Sequence, residues 1–126
     1  LDDVPNNLPP LLKSLKIQKK ASLLNFDWDN YKNVLDKIDE EISELKIALK
    51  NPNQLSSIED ELGDVMFTIV SLSRHLNLNP DKVLEKSIRK FKNRFLYLEK
   101  KIYDNTKNKK FDKKYLEILW KEAKSI

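Results

Sequence analysis

Two apolar stripes at helical spacing, joined by a short break, limit what this chain can become. Tyr31, Val34, Leu35, Ile38, Ile42, Leu45 and Leu49 form the first, and Ile58, Leu62, Val65, Met66, Ile69, Leu72 and Leu76 form the second. Each recurs in steps of three and four residues, the mark of an amphipathic helix rather than a strand. Asn51-Pro52-Asn53 separates them, and so tight a connection makes the two helices antiparallel neighbours. The chain holds a single glycine in 126 residues, and strand-type alternation is sparse. The expectation is an all-α fold of about five helices, in one domain over residues 1–126.

Composition narrows the chemistry. The absence of cysteine excludes a disulfide framework, a thiolate nucleophile and a cysteine-based zinc site. No apolar run is long enough to span a bilayer and no signal peptide is evident, so no membrane partner and a cytoplasmic location are expected. The net charge is +4, from 21 Lys and 3 Arg against 20 acids. The acids are interspersed and no long basic block appears, which argues against nucleic acid and leaves anionic small molecules as ligands.

Those acids flank the stripes. Glu41 and Glu44 are three apart on the first helix, and Glu61 and Asp64 on the second. Positions three apart lie about 60° apart around a helix, so each pair points one way. Glu41 falls about 70° from its stripe centre, with Glu44 and Lys37 further round the same flank, and Glu61 about 75° from its own, with Asp64 beyond. Glu40 and Asp60 point nearly the opposite way, to support the site from outside or to face solvent. Four converging carboxylates repel one another unless a cation sits among them, and hard cations such as Mg²⁺ take oxygen ligands. The competing reading is a solvated helix face, the usual place of Asp and Glu. Gly63 interrupts the second helix between Glu61 and Asp64. Glycine there costs about 1 kcal/mol relative to alanine, which suggests close approach by a neighbouring helix or a ligand.

The remaining segments take their places around this pair. Residues 1–10, with three prolines, read as an extended leading segment. A helix over about Leu11–Leu24 follows, with Leu12, Leu15, Leu23 and Leu24 as apolar contacts and Lys16, Gln18, Lys19 and Lys20 on a polar face; Asn25 ends it in the left-handed conformation. Phe26-Asp27-Trp28 either plugs the core or lines a pocket. Asp29 is expected to cap the helix over about Asn30–Lys50, and Ser56 with Glu59 to open the next as a capping box. His75, the single histidine, offers no di-iron pattern and reads as structural, through a dipole contact at a helix end. Asn79-Pro80-Asp81 opens a fourth helix to about Tyr103, with Val83, Ile88, Phe91, Phe95, Leu98 and Ile102 as its stripe. Lys90 and Arg94 share one face of it, an arrangement that beside the carboxylates suits a polyphosphate. Asn105–Lys110 reads as a polar loop, and a last helix over about Asp112–Lys124 carries Trp120, placed to stack on a base or to pack.

The motifs then resemble a known family. Glu40-Glu41-Ile-Ser-Glu44 followed by Glu61-Leu-Gly-Asp64 is similar to the signature of the MazG-type nucleoside triphosphate pyrophosphohydrolases. Leu8-Pro9-Pro10-Leu11, Lys16-Ile-Gln18-Lys-Lys20-Ala21 and Phe26-Asp27-Trp28 resemble the family's leading segment, and Leu72-Ser-Arg74-His75-Leu76 and Lys90-Phe91-Lys-Asn-Arg94-Phe95 its later blocks. The likeness covers nearly the whole chain, and the ordered co-occurrence is specific where Glu-x-x-Glu alone is not. It implies a MazG-like helical bundle completed by a homodimer. It also implies Mg²⁺-dependent hydrolysis of a nucleoside triphosphate to monophosphate and pyrophosphate, broad in base preference, with Mn²⁺ as an alternative cation. By the same resemblance Glu41, Glu44, Glu61 and Asp64 bind the metal, Lys37, Lys90 and Arg94 contact phosphates, and Trp120 lies near the base. Water attacks the α-phosphorus in line with departing pyrophosphate, and Glu41 or Glu44 takes the proton. Asn25 stands where a Gly is common and Asn93 where a second Arg is common, the latter weakening phosphate contacts. The leading segment is of the kind that precedes the C-terminal catalytic unit of two-domain members. Rival readings are a specialised dCTP, dUTP or phosphoribosyl-ATP pyrophosphohydrolase, and a non-catalytic helical dimerisation module.

Overall fold

The computed structural model describes residues 1–105 and 112–126, and the polar loop expected over Asn105–Lys110 lies almost wholly outside them. Five helices and no strand are found among the described residues: α1 (Pro10–Leu23), α2 (Tyr31–Ala48), α3 (Leu55–His75), α4 (Pro80–Asn105) and α5 (Lys113–Lys124). The all-α expectation therefore holds. The chain divides into two compact units, Leu1–Lys82 and Val83–Ile126. Each is described by itself.

In the first unit α2 and α3 form a hairpin, and α1 packs on α3. Leu15 of α1, Val34 of α2 and Val65 and Val70 of α3 are buried, together with Val4 of the leading segment. That segment, expected to be extended, is not so throughout. It turns back onto α1, with Val4 N–H donating to the Leu1 carbonyl at 3.0 Å and an Asp3–Lys20 ion pair holding it.

The face that α1 buries also differs from expectation. Gln18, read as part of a polar face, is buried, whereas Leu23 and Leu24, read as apolar contacts, are exposed. The reason is a polar lock to α3. Ser71 Oγ donates to Gln18 Oε1 at 2.7 Å, and Gln18 Nε2 donates to the Phe67 carbonyl at 2.9 Å. With Leu15 and Gln18 facing α3, Leu24 falls on the opposite side of the wheel.

Helix ends follow local chemistry. Asn25 (φ 63°) and Asn77 (φ 58°) adopt the left-handed conformation just past α1 and α3. Asn is the side chain besides glycine that tolerates this turn best. Asn30, rather than Asp29, caps α2, its side chain accepting from Asn33 N–H at 3.1 Å. The expected capping box at Ser56 is absent, because α3 already begins at Leu55 with Gln54 at the cap position and no side-chain cap. Asn79 caps α4 as expected, accepting from Asp81 N–H at 2.9 Å.

Between α1 and α2, Asp27 is tied to the end of α3. Arg74 Nη1 donates to its Oδ2 at 2.7 Å and Arg74 Nη2 to its Oδ1 at 2.5 Å, while His75 Nε2 lies 3.0 Å from the same Oδ1. Asp27 thus stands in a fork-shaped, charge-assisted clasp. Phe26 is 81% exposed, which removes the reading of this loop as a core plug. His75 takes a carboxylate partner rather than serving only as a dipole contact.

The stripes face inward only in part. Leu35, Leu62, Met66, Ile69 and Leu76 remain exposed, with Met66 at 57%. A helical hairpin with one further helix covers one side of each element, and a wide stripe overruns that cover.

In the second unit Leu98 of α4 and Leu119 and Ala123 of α5 form a buried cluster, with Tyr97, Ile102, Tyr115, Leu116 and Trp120 packed against it. Tyr97 Oη donates to Glu122 Oε2 at 3.0 Å. Phe91 and Phe95 stack at 5.9 Å between centroids, and the α4 stripe residues Val83, Ile88, Phe91 and Phe95 are exposed.

Two outcomes are expected. Gln18→Ala removes the acceptor of the Ser71 hydroxyl and the second bond to the Phe67 carbonyl, and lowers stability by about 1–3 kcal/mol in urea unfolding. For Asp27, the Arg74 guanidinium, and then His75, hold the carboxyl well below its ordinary 3.8. A depressed folded-state pKa contributes stability above the unfolded value and loses it as pH falls. The stability gap between the unsubstituted protein and Asp27→Asn is therefore present at neutral pH and closes as pH drops below 3.8.

Candidate metal centre

The site grows out of the α2–α3 seam. Burying Val34 and Val65 turns the flank that carries Glu41 on α2 toward the flank that carries Glu61 and Asp64 on α3. One carboxylate oxygen from each of these three residues lies within 4.8 Å of the others. Glu41 is buried at 6% exposure, Glu61 is half-buried and Asp64 is exposed, so the cluster opens from the seam toward solvent.

Glu44 stands at the edge of this group. The Glu41 charge acts on it most strongly, and with desolvation and Glu61 it holds the Glu44 carboxyl above its ordinary 4.5. Of the four carboxylates expected to share a site, three converge closely and the fourth feels their field. Glu40 and Asp60 are exposed, as their wheel positions implied.

Two observations bear on what the cluster can hold. Glu41 Oε2 and Glu61 Oε2 are buried without a hydrogen-bond partner among the described residues. Buried carboxylate oxygens left unpaired cost free energy that a bound cation offsets. The donor set is all oxygen and carries no imidazole or thiolate, which suits hard cations of the Mg²⁺ class over Zn²⁺ or Cu²⁺. The residues present therefore fit a divalent cation.

Lys37, read from the motifs as a phosphate contact, directs its ammonium at acids. Its Nζ lies 2.9 Å from Glu41 Oε1 and 3.3 Å from Glu40 Oε1. Those two carboxylates, Glu41 foremost, raise its pKa above the ordinary lysine value. The spacing of four residues between Lys37 and Glu41 is the signal for this pair, and it was open to view in the sequence.

Gly63 has no packing explanation among the described residues. A Cβ built there meets nothing within 4 Å, so the expected approach of a neighbouring helix is not found among the described residues.

In the second unit Lys90 and Arg94 share a shallow cavity of about 270 Å³ with Asn93, Tyr97, Ala123 and Ile126. Neither basic side chain has an acidic partner among the described residues. The Arg94 guanidinium lies 6.0 Å from the Trp120 ring centroid, and Phe91 meets that ring at 5.2 Å. Both contacts pack Trp120.

Repulsion within the acidic group makes a further prediction. A raised carboxyl pKa means that the charged form costs stability above the unfolded pKa, a cost relieved as pH falls. In EDTA, Glu44→Gln should therefore melt higher than the unsubstituted protein at pH 7, and this advantage should vanish below about pH 4.5. Thermal circular dichroism at both pH values checks it.

Comparison with known proteins bears on the family of the chain. Residues 29–96 match the family described as MazG nucleotide pyrophosphohydrolase domain. The chain is 41% identical over 118 residues to the nucleoside triphosphate pyrophosphohydrolase/pyrophosphatase MazG of Thermotoga maritima, covering 93% of this chain and 45% of that protein. It is 38% identical over 101 residues to the nucleoside triphosphate pyrophosphohydrolase of Escherichia coli K12, covering 79% of this chain and 38% of that one. An uncharacterized Bacillus subtilis protein, YabN, is 31% identical over 125 residues, 98% of this chain and 26% of its own length. The chain thus spans less than half the length of these curated relatives.

Proposed function

The chain belongs to the MazG nucleotide pyrophosphohydrolase domain family, and from that footing we propose that it hydrolyses nucleoside triphosphates to monophosphate and pyrophosphate with Mg²⁺. The observation that carries the reading is the pair of buried, unpartnered oxygens, Glu41 Oε2 and Glu61 Oε2, in a cluster shared with Asp64. Glu41, Glu44, Glu61 and Asp64 would hold the cation, and Mn²⁺ offers the same hard-oxygen preference. When bound, the cation supplies positive charge for phosphate oxygens and acidifies water.

The remaining steps fall to the chain's own groups. Glu44, whose proton affinity its neighbours raise, suits the acceptance of a proton from the water that attacks the α-phosphorus. Lys90 and Arg94 are proposed as phosphate contacts, supported by their motif and their freedom from acidic partners among the described residues. Trp120 is proposed as the residue nearest the base. Its contacts to Phe91 and Arg94 fix the ring that a base would meet.

The reading takes residues 1–126 as one catalytic domain, supported by relatives that align over 118 and 125 residues. A homodimer belongs to it. The exposed apolar residues on α2, α3 and α4 leave more apolar surface than a lone helical unit usually shows water, and a second copy would cover it. No helix among the described residues is long and apolar enough to cross a membrane. The cytoplasm, where nucleoside triphosphates are held, is the proposed location.

The deciding experiment is pyrophosphate release from a panel of ribo- and deoxynucleoside triphosphates, with Mg²⁺ and with EDTA. Cation-dependent release across several bases is expected, and Glu44→Ala and Asp64→Ala should each lower kcat by at least about 10²-fold with helicity unchanged. Release from one base alone would point to a specialised enzyme. No release from a folded protein, with phosphoribosyl-ATP also inert, would overturn the enzymatic reading.

A further inference from the structure

Glu41 poses a problem that the cation reading does not resolve. Its side chain is 7% exposed, and a carboxylate so placed needs a compensating charge or donor whether or not a cation is present. Lys37 is the one cation paired with it among the described residues, at 2.9 Å from Oε1. The pairing is built into a single turn of α2. Glu41 lies four residues after Lys37 and Glu40 three after, so both acids reach the same ammonium from one helix face. Glu40, exposed, holds it from the solvent side at 3.3 Å, and the Lys37 side chain is itself only 28% exposed.

We propose that Lys37 is the built-in counter-ion of the cation site, compensating Glu41 when no cation is bound and opposing the cation's charge when one is. The inference rests on reading Glu41, Glu61 and Asp64 as that site. Lys37 acts through Glu41 and is therefore a positioning residue. To touch a phosphate it would first have to give up two ion pairs in a half-buried setting, which makes the phosphate role the rival.

Two separate Coulomb terms act through the same ammonium: it attracts Glu41 in the metal-free protein and repels a second positive charge that arrives nearby. Removing the lysine therefore destabilises the metal-free state and tightens cation binding together, and the stabilisation conferred by a given cation concentration grows. The same ammonium thus sets both the stability of the metal-free fold and the concentration at which the site fills.

The test compares Lys37→Met and Lys37→Arg with the unsubstituted protein, without nucleotide. Thermal unfolding is followed in EDTA and in saturating Mg²⁺, and Mn²⁺ binding by titration calorimetry. Lys37→Met should melt lower in EDTA, show a larger Mg²⁺-induced rise, and bind Mn²⁺ about tenfold more tightly, from the Coulomb energy of one added charge near a divalent ion. Lys37→Arg should restore the unsubstituted behaviour in all three. If Lys37→Met is unfolded in EDTA, recovery of its helical circular dichroism on adding Mg²⁺ supports the proposal, and failure to recover overturns it. Equal melting with equal or weaker Mn²⁺ affinity in Lys37→Met also overturns it; a raised KM in a separate turnover assay with nucleotide would then assign Lys37 to phosphate instead. A different failure marks the underlying reading: an unsubstituted protein that binds no Mn²⁺ and gains nothing from Mg²⁺ has no cation site for Lys37 to serve.

Discussion

Burying a carboxylate costs free energy that only a positive charge or a hydrogen-bond donor offsets, and the α2–α3 seam buries Glu41. Much of the first unit can be understood from that constraint. Val34 and Val65 bring the two helices together, and their closeness draws Glu61 and Asp64 toward Glu41. Apolar burial thus assembles what electrostatics alone would scatter. One oxygen of Glu41 is answered from within its own helix by Lys37, and the other is left unpaired beside the α3 acids. The fold holds its acids in an arrangement that favours an incoming divalent charge, at some expense of its own stability.

The polar ties that resist this repulsion lie elsewhere on α3. Gln18 reaches Phe67 and Ser71, and Asp27 grips Arg74 and His75, all in the second half of the helix. These contacts join segments 47 to 53 residues apart in sequence, so they fix the α1 end of the unit against α3 independently of the acids. They also explain why the aromatic loop keeps Phe26 in solvent: Asp27 is the anchor of that loop, and the aromatic beside it projects away.

Local pattern made a good part of this legible. Stripe periodicity located all five helices to within a few residues, and the wheel placed Glu41, Glu61 and Asp64 on facing flanks while sending Glu40 and Asp60 outward. Asn25 was recognisable as a left-handed terminator because the side-chain chemistry is local. What pattern could not supply was partnership across the chain. Gln18 looks like any polar residue between lysines until Ser71 is set against it, and nothing at helical spacing marks Asp27 as the partner of Arg74. Periodicity likewise names an apolar face without saying what covers it, which is why Met66 and Ile69 lie on the stripe and yet are exposed. The Asp29 and Ser56 caps failed for smaller reasons: Asn30, adjacent to Asp29 and of similar capping ability, takes the α2 cap, and α3 starts one residue before Ser56 with no side-chain cap at all.

The uneven distribution of ties along α3 has a dynamic consequence. Its second half is clasped to the chain before it, while its first half has no side-chain cap and carries like charges facing α2. Backbone amides near His75 should exchange with solvent only through large-scale opening, and those near Leu55 through frequent local fraying. A ligand at the acids would act as a conditional cross-link at the frayed end, lengthening the cooperative segment of the hairpin toward its turn. The protein would then be most mobile where its ligand enters and least mobile where the rest of the chain depends on it.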